Sequence, residues 1–225
     1  SGNVICKLNI SEAKNVVNEL IEQGVKGIAI CFLHSYNNSK NEKEMESIIK
    51  DISPTTVVSC SSDVLPEIRE YERTSTVVAN VYTRPLTESY LERLKSEFCK
   101  RKIKANLYVM LSHGGTATPE TAKRFPIRLL ESGPAAGALG ASYYAKVLKE
   151  DKVVSFDMGG TTAKICLIDG AKPLTTREFE AARIYRFKKG SGLPIKIPVI
   201  EMIEIGAGGG SIAWINKMGI PQVGP

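Results

Sequence analysis

Between Ser11 and Gly24 the apolar residues Ala13, Val16, Val17, Leu20 and Ile21 recur at three- and four-residue spacings. This spacing predicts an amphipathic helix capped by Ser11 and closed by Gly24. The unbroken apolar run from Gly27 to Leu33 predicts a buried strand. A second amphipathic helix is expected over Glu42 to Ile52, with Met45, Ile48 and Ile49 inward, followed by the strand-like "TVVSC" ending at Cys60. The rhythm is βα with polar connections.

From Arg73 helical spacing runs toward Lys100, with Val77, Val78, Val81 and Tyr82 before Pro85 and Leu86, Tyr90, Leu91, Leu94 and Phe98 after it. Pro85 removes a backbone donor and predicts a kink or a restart. "NLYVML" reads as a strand, and "SHGGTATPETA" as a loop opening a short helix capped by Thr118 with Pro119 in its first turn. "ESGPAAGALGASYYAKVL" predicts a helix from about Pro134 lined by Ala135, Ala136, Gly137, Ala138, Gly140 and Ala141. Glycine costs a helix up to about 1 kcal/mol relative to alanine, so these residues imply close approach of a backbone or ligand, or tight packing on a sheet. From Lys152 the period becomes two: "KVVSFD", a Gly-Gly turn, "AKICLID", then "PVIEMIEI" and "SIAWIN" separated by "GAGGG" and closed by a turn at Asn216 to Gly219.

Composition narrows the class. Over 225 residues 43% are apolar, ordinary for a globular chain, and no apolar run approaches the ~20 residues of a membrane helix. With no signal-peptide pattern the expected location is cytoplasmic, away from membranes. Cys6, Cys31, Cys60, Cys99 and Cys166 are odd in number and scattered, which points to reduced structural thiols. His34 and His113 are too few for a multi-histidine zinc or iron site. The net charge of +6 is spread among glutamates, as in "ERLKSEFCKRKIK", so no nucleic-acid partner is expected.

Chemistry gathers around "SFDMGGTTAKICLIDG", Ser155 to Gly170. Gly159 and Gly160 let successive N–H groups face one spot, Thr161 and Thr162 add hydroxyl donors, and Asp157 can hold magnesium through water. These are the parts of a phosphate clamp, although an ordinary Gly-Gly hairpin uses the same local pattern. A second cluster, Gly206, Ala207, Gly208, Gly209, Gly210 and Ser211, could let backbone lie against a nucleotide or simply form a turn. It is no dinucleotide fingerprint, because the third glycine of G-x-G-x-x-G would fall at Ser211, and G-x-x-x-x-G-K-[ST] is absent. His113 sits at a strand exit suited to acid–base work or to nothing in particular, and His34 is expected to be a satisfied structural side chain. Glu131 and Ser132 lie at a helix start suited to an anion.

In order, "LSHGGT", "ESGPAAGALGASYYA", "FDMGGTTAK" and "IEIGAGGGSIAWINKMGIPQVGP" resemble the hydantoinase A/oxoprolinase family, as do "GIAICFLHSYNNSKNEKEMESII" and "SSDVLPEIREYERTSTVVANVYTRPL" upstream. The resemblance implies an α/β, actin-like (ribonuclease H-like) ATPase fold, present in part, with mixed sheets and packed helices. Residues 1–105 would end a first domain and 106–225 begin the ATPase lobe. By the same likeness Ser132 to Leu148 looks like the connecting helix. Asp157 would be the catalytic and metal-holding residue, and Gly159, Gly160, Thr161 and Thr162 with Gly208, Gly209, Gly210 and Ser211 would bind ATP and Mg2+. The implied activity is ATP-dependent opening of hydantoin-, N-methylhydantoin- or oxoproline-like cyclic amides with a hydantoinase B-like second subunit. An acetone carboxylase-type subunit, a small-molecule kinase and a non-catalytic nucleotide-driven scaffold are the alternatives. "TTAK" puts Ala163 and Lys164 where many members carry a second aspartate, a variant similar to the N-methylhydantoinase and acetone carboxylase side. Lys164 would pair with a phosphate or face solvent. Because the family's first phosphate loop has no counterpart before residue 157, the expectation is an internal stretch of a longer enzyme, inactive alone.

Overall fold

Two parallel strands set the first of two structural units, which comprises residues 1–109, 117–129 and 177–197. The computed structural model describes residues 2–182, 184, 185, 188 and 190–224. Strand β1 (Gly27–Ile30) pairs in parallel with β2 (Val57–Cys60), Gly27 opposite Val57 and Ile30 opposite Cys60. Helices α1 (Ile10–Glu22) and α2 (Lys40–Ile52) cover them, closing a core of Ala13, Val17, Ile30, Ile48, Ile49, Val58 and Cys60. The helical spacing therefore marks the buried face well, with one exception: Val16 is 44% exposed. Ser11 is not the cap of α1. Asn9 holds that place, its side chain accepting from the Glu12 N–H at 3.3 Å, while Gly24 ends the helix with φ +78°.

β1 stops three residues before the apolar run does, because buried polar groups claim the next backbone. Arg73 donates to the Phe32 carbonyl at 2.6 Å, and the Phe32 N–H donates to buried Glu42 at 2.9 Å. Leu33 and His34 are exposed in the turn beyond, His34 with φ 55° and its ring 3.2 Å from the Tyr36 hydroxyl. His34 has a partner, but it is a surface turn residue and not part of a core.

After the short α3 (Ser61–Val64), α4 (Glu70–Lys100) runs uninterrupted through Pro85. The expected break is absent because tertiary contacts hold both sides: Thr76, Val77, Asn80 and Val81 are buried before Pro85 and Leu91 after it. Pro85 itself is exposed, so its ring faces water. α5 (Pro119–Arg124) has the expected Thr118 cap. Asn80 ties these parts together, donating to Ser59 and to the Arg124 carbonyl and accepting from the Ile127 N–H. A strap at Leu193–Ile195, paired antiparallel with Phe179–Ala181, returns to α4: Ser75 donates to the Pro194 carbonyl at 2.7 Å, and the Lys196 N–H to Thr76 at 2.9 Å.

The second unit comprises residues 110–116, 130–176 and 198–225. Its helix α6 (Ser132–Leu148) begins two residues earlier than expected. Its antiparallel sheet has β3 (Lys152–Met158) on one side of β4 (Ala163–Asp169) and β5 (Ile203–Ile205) on the other. Ala135 and Ala138 of α6 pack with Cys166, Ile168 and Ile200. The small residues thus divide: alanines make tight helix-on-sheet contact, whereas Gly133, Gly137 and Gly140 face open space. "PVIEMIEI" splits into Val199–Ile200 and β5, and "NLYVML" contributes only Val109–Met110 as strand. A hairpin of Ile212–Ile215 with Pro221–Gly224 turns at Asn216, whose side chain accepts from the Met218 and Ile220 N–H groups. The architecture is mixed α/β, and among the described residues no helix is long and apolar enough to cross a membrane.

Candidate functional site

The second unit brings the two glycine clusters into contact. β3 and β4 pair in a register that sets Asp157 opposite Lys164 and Met158 opposite Ala163, leaving 159–162 as the connecting turn. The Gly159 N–H donates to the Thr162 carbonyl at 2.9 Å and closes it. Across from this turn, the Gly209 N–H donates to the Gly159 carbonyl and the Gly210 N–H to the Gly160 carbonyl, both at 2.9 Å. The second turn is braced within itself: Gly208 N–H donates to the Ser211 hydroxyl and Ser211 N–H to the Gly208 carbonyl.

Gly208 explains why this segment is rich in glycine. A Cβ there would lie 2.6 Å from the Gly159 carbonyl oxygen and 2.7 Å from both Gly160 C and Thr161 N, closer than any side chain tolerates. Gly210 is nearly as tight, 3.1 Å from the Gly160 oxygen. Gly160, by contrast, has nothing within 4 Å on the side where a Cβ would point. The hairpin is therefore backed by bare backbone on one side and open on the other.

Apart from the Gly159 N–H, the donors of the turn itself are unspent. Among the described residues the N–H groups of Gly160, Thr161 and Thr162 and both threonine hydroxyls have no protein acceptor. Gly160 and Thr161 are exposed. Clustered N–H donors of this kind attract phosphate oxygens. Among the described residues the half-buried Asp157 has no protein hydrogen bond or ion pair to its carboxylate, and no group of three His, Cys, Asp or Glu side chains there is placed to hold a metal. One lone carboxylate beside free phosphate donors fits a magnesium ion that keeps most of its water and leans on phosphate oxygens, not one caged by protein.

Lys164 neither faces solvent nor stands free. Its ammonium bonds the Glu131 carboxylate and lies 3.6 Å from Glu204, and its side chain is 13% exposed. A signal for this was present in the sequence: strand alternation puts Lys164 on the face of Cys166 and Ile168, where a cation needs partners. His113 occupies a tight turn, with Gly114 at φ +88° and the ring folded over Gly115, and no hydrogen bond joins it to the hairpin among the described residues. His34 belongs to the other unit.

Residues 73–225 match the hydantoinase/oxoprolinase family model, and residues 1–53 match the model of the hydantoinase/oxoprolinase N-terminal region. An uncharacterized protein of Methanocaldococcus jannaschii is 40% identical over the whole chain, which covers 34% of that protein. Caprolactamase subunit alpha of Pseudomonas jessenii is 33% identical over 91% of the chain and 28% of its own length. Among solved structures, the crystal structure of ATP-dependent caprolactamase from Pseudomonas jessenii aligns with a TM-score of 0.76 at 30% identity, over 100% of this chain and 31% of that one. The nucleotide-free structure of acetone carboxylase, described as ATP-dependent in its carboxylation, gives a TM-score of 0.76 at 28% identity over 97% and 30%. The chain thus spans about a third of the length of these two curated relatives.

Proposed function

Because the chain belongs to the hydantoinase/oxoprolinase family, we propose that it carries the phosphate-binding half of an ATP-dependent enzyme that opens cyclic amides, built on an actin-like ATPase fold. The observation that carries this reading is the 159–162 turn, whose own donors, Gly159 apart, are free and whose carbonyls are held by the Gly208–Ser211 backbone packed against it. ATP would supply the activation: its terminal phosphoryl group would pass to the amide oxygen with release of ADP, water would add to the activated carbon, the C–N bond would break with the ring nitrogen leaving as an amine, and a second water would hydrolyse the resulting acyl phosphate to carboxylate and phosphate. The chain's own part is to bind and orient. Gly160, Thr161 and Thr162 donate to phosphate oxygens, Asp157 holds magnesium through water, and Gly208 to Ser211 fix the turn before a ligand arrives. Such preorganisation means that no reordering of the turn is needed when charge develops. Relatives named as subunits, such as caprolactamase subunit alpha, support a partner subunit that completes the reaction.

The test is calorimetric titration of magnesium-ATP into the full-length protein, followed by ATP-consumption assays with lactams, hydantoins, 5-oxoproline and ketones. Gly160→Val is the most informative variant, since the side chain enters open space and leaves the fold intact while filling the ligand face. Gly160→Val and Asp157→Ala are each expected to weaken magnesium-ATP binding by about 1.5–3 kcal/mol, the range for hydrogen bonds to charged groups. Unchanged binding in both variants rejects the assignment. ATP consumption with ketones but not cyclic amides moves the protein to the acetone carboxylase type, and ATP consumption indifferent to either substrate to a nucleotide-driven scaffold.

A further inference from the structure

Lys164 sits in the middle of a row of charges. Register places Asp157 directly across from it on β3 and Glu204 directly across on β5, so all three share the face that α6 covers. Glu131 reaches the same ammonium from the start of α6, where its own backbone is left-handed at φ 59°. A non-glycine residue keeps that conformation only when its surroundings hold it there. Three carboxylates therefore surround one cation, and Lys164 is engaged with two of them, leaving Asp157 without a protein partner among the described residues.

Resting on the nucleotide reading above, we infer that Lys164 is a positioning residue. It spends its charge on Glu131 and Glu204, fastens the first turn of α6 to β4, and thereby fixes the β3–β4 frame from which Asp157 and the 159–162 turn project. It does not itself touch phosphate. A lysine that binds phosphate acts as an accessible point charge; this one is mostly covered and doubly engaged. Without the ammonium, Glu131 would be a partly buried carboxylate with no counter-charge, beside Glu204 and Asp157 of the same sign. Breaking one side of such a pair costs more than the pair is worth intact.

That asymmetry supplies the test, a double-mutant cycle in the full-length protein with two readouts. The first is hydrogen exchange, without nucleotide, at the amides of Gly159, Gly209 and Gly210, each of which is bonded within the two turns. The second is calorimetric affinity for magnesium-ATP. Lys164→Met is expected to speed exchange at those amides and weaken binding about tenfold, within the range by which contacting residues couple. Adding Glu131→Gln should recover most of both, and Lys164→Arg should stay close to wild type. Should Lys164→Met fail to fold, the double variant folds if the unpaired Glu131 is the cause.

Lost affinity with unchanged exchange and no recovery in the double variant would make Lys164 a phosphate ligand and overturn the inference. So would unchanged values in Lys164→Met, or a double variant that still does not fold. A wild-type protein that binds no nucleotide defeats the functional reading of the previous section, while the exchange cycle still decides the role of Lys164.

Discussion

At Gly208 one missing methyl carbon lets two turns touch. Gly208→Ala must push apart backbone atoms 2.6–2.7 Å from the new Cβ, so unfolding in urea is expected to show a loss of about 1–3 kcal/mol, as for other overpacked sites. Gly140→Ala makes the opposite prediction. It lies within α6 in open space, so the exchange should raise stability by up to about 1 kcal/mol. The same residue type is thus indispensable in one cluster and a cost in the other. The sequence displays both clusters but not this difference, because the contact at Gly208 joins segments some fifty residues apart and leaves no local periodicity.

Glu42 is a second case where one residue carries a definite prediction. Burial pushes its carboxyl up, but the Ser61 hydroxyl and the Ser62 and Phe32 N–H groups all donate to it and bring it below the ordinary glutamate range. A depressed folded value stabilises the fold above the unfolded value of about 4.3 and ceases to do so as pH falls through the folded one. Both oxygens are acceptors here, so Glu42→Gln sets an amide N–H against a donor. The variant should lose about 1.5–3 kcal/mol at pH 7 and approach wild type as pH falls through the depressed folded value in chemical denaturation.

Among the elements, α4 shows how packing overrides a breaker. Pro85 is exposed and lacks the N–H that would meet the Val81 carbonyl, yet the helix continues because buried residues on both sides are fixed to the sheet and to α5. Pro85→Ala should restore that bond and raise the thermal midpoint, by about 1–2 kcal/mol in stability once the freer unfolded chain offsets part of the ~3 kcal/mol intrinsic penalty. Helical spacing identified α1, α2 and α4, although Val78, Tyr82, Leu86 and Tyr90 of α4 prove exposed, whereas α5 was legible from its Thr118 cap with Pro119 and α6 from its run of small residues. The start of α1 was less legible: Asn9 and Ser11 are both good caps, and only the reach of the Asn9 side chain to the Glu12 N–H selects between them. β1 was overestimated because Glu42 and Arg73, distant in sequence, take the hydrogen bonds that would have extended it.

At the scale of the whole molecule, alternation in β3 and β4 and the two glycine clusters were readable, as was the family likeness now matched over residues 73–225. The partners of Lys164 were not, since Glu131 and Glu204 come from separate elements. Nor was the return of residues 177–197 to the first unit, where Lys196 pairs with Glu67 and its N–H donates to the Thr76 hydroxyl. On the ribosome this ordering has a temporal meaning. At roughly 5–20 residues per second, the strap leaves the exit several seconds after α4 and α5 have emerged. During that interval Glu67, Ser75 and Thr76 must stay solvated without their final partners, so the first unit to begin folding is not free to finish until much of the second has been synthesised.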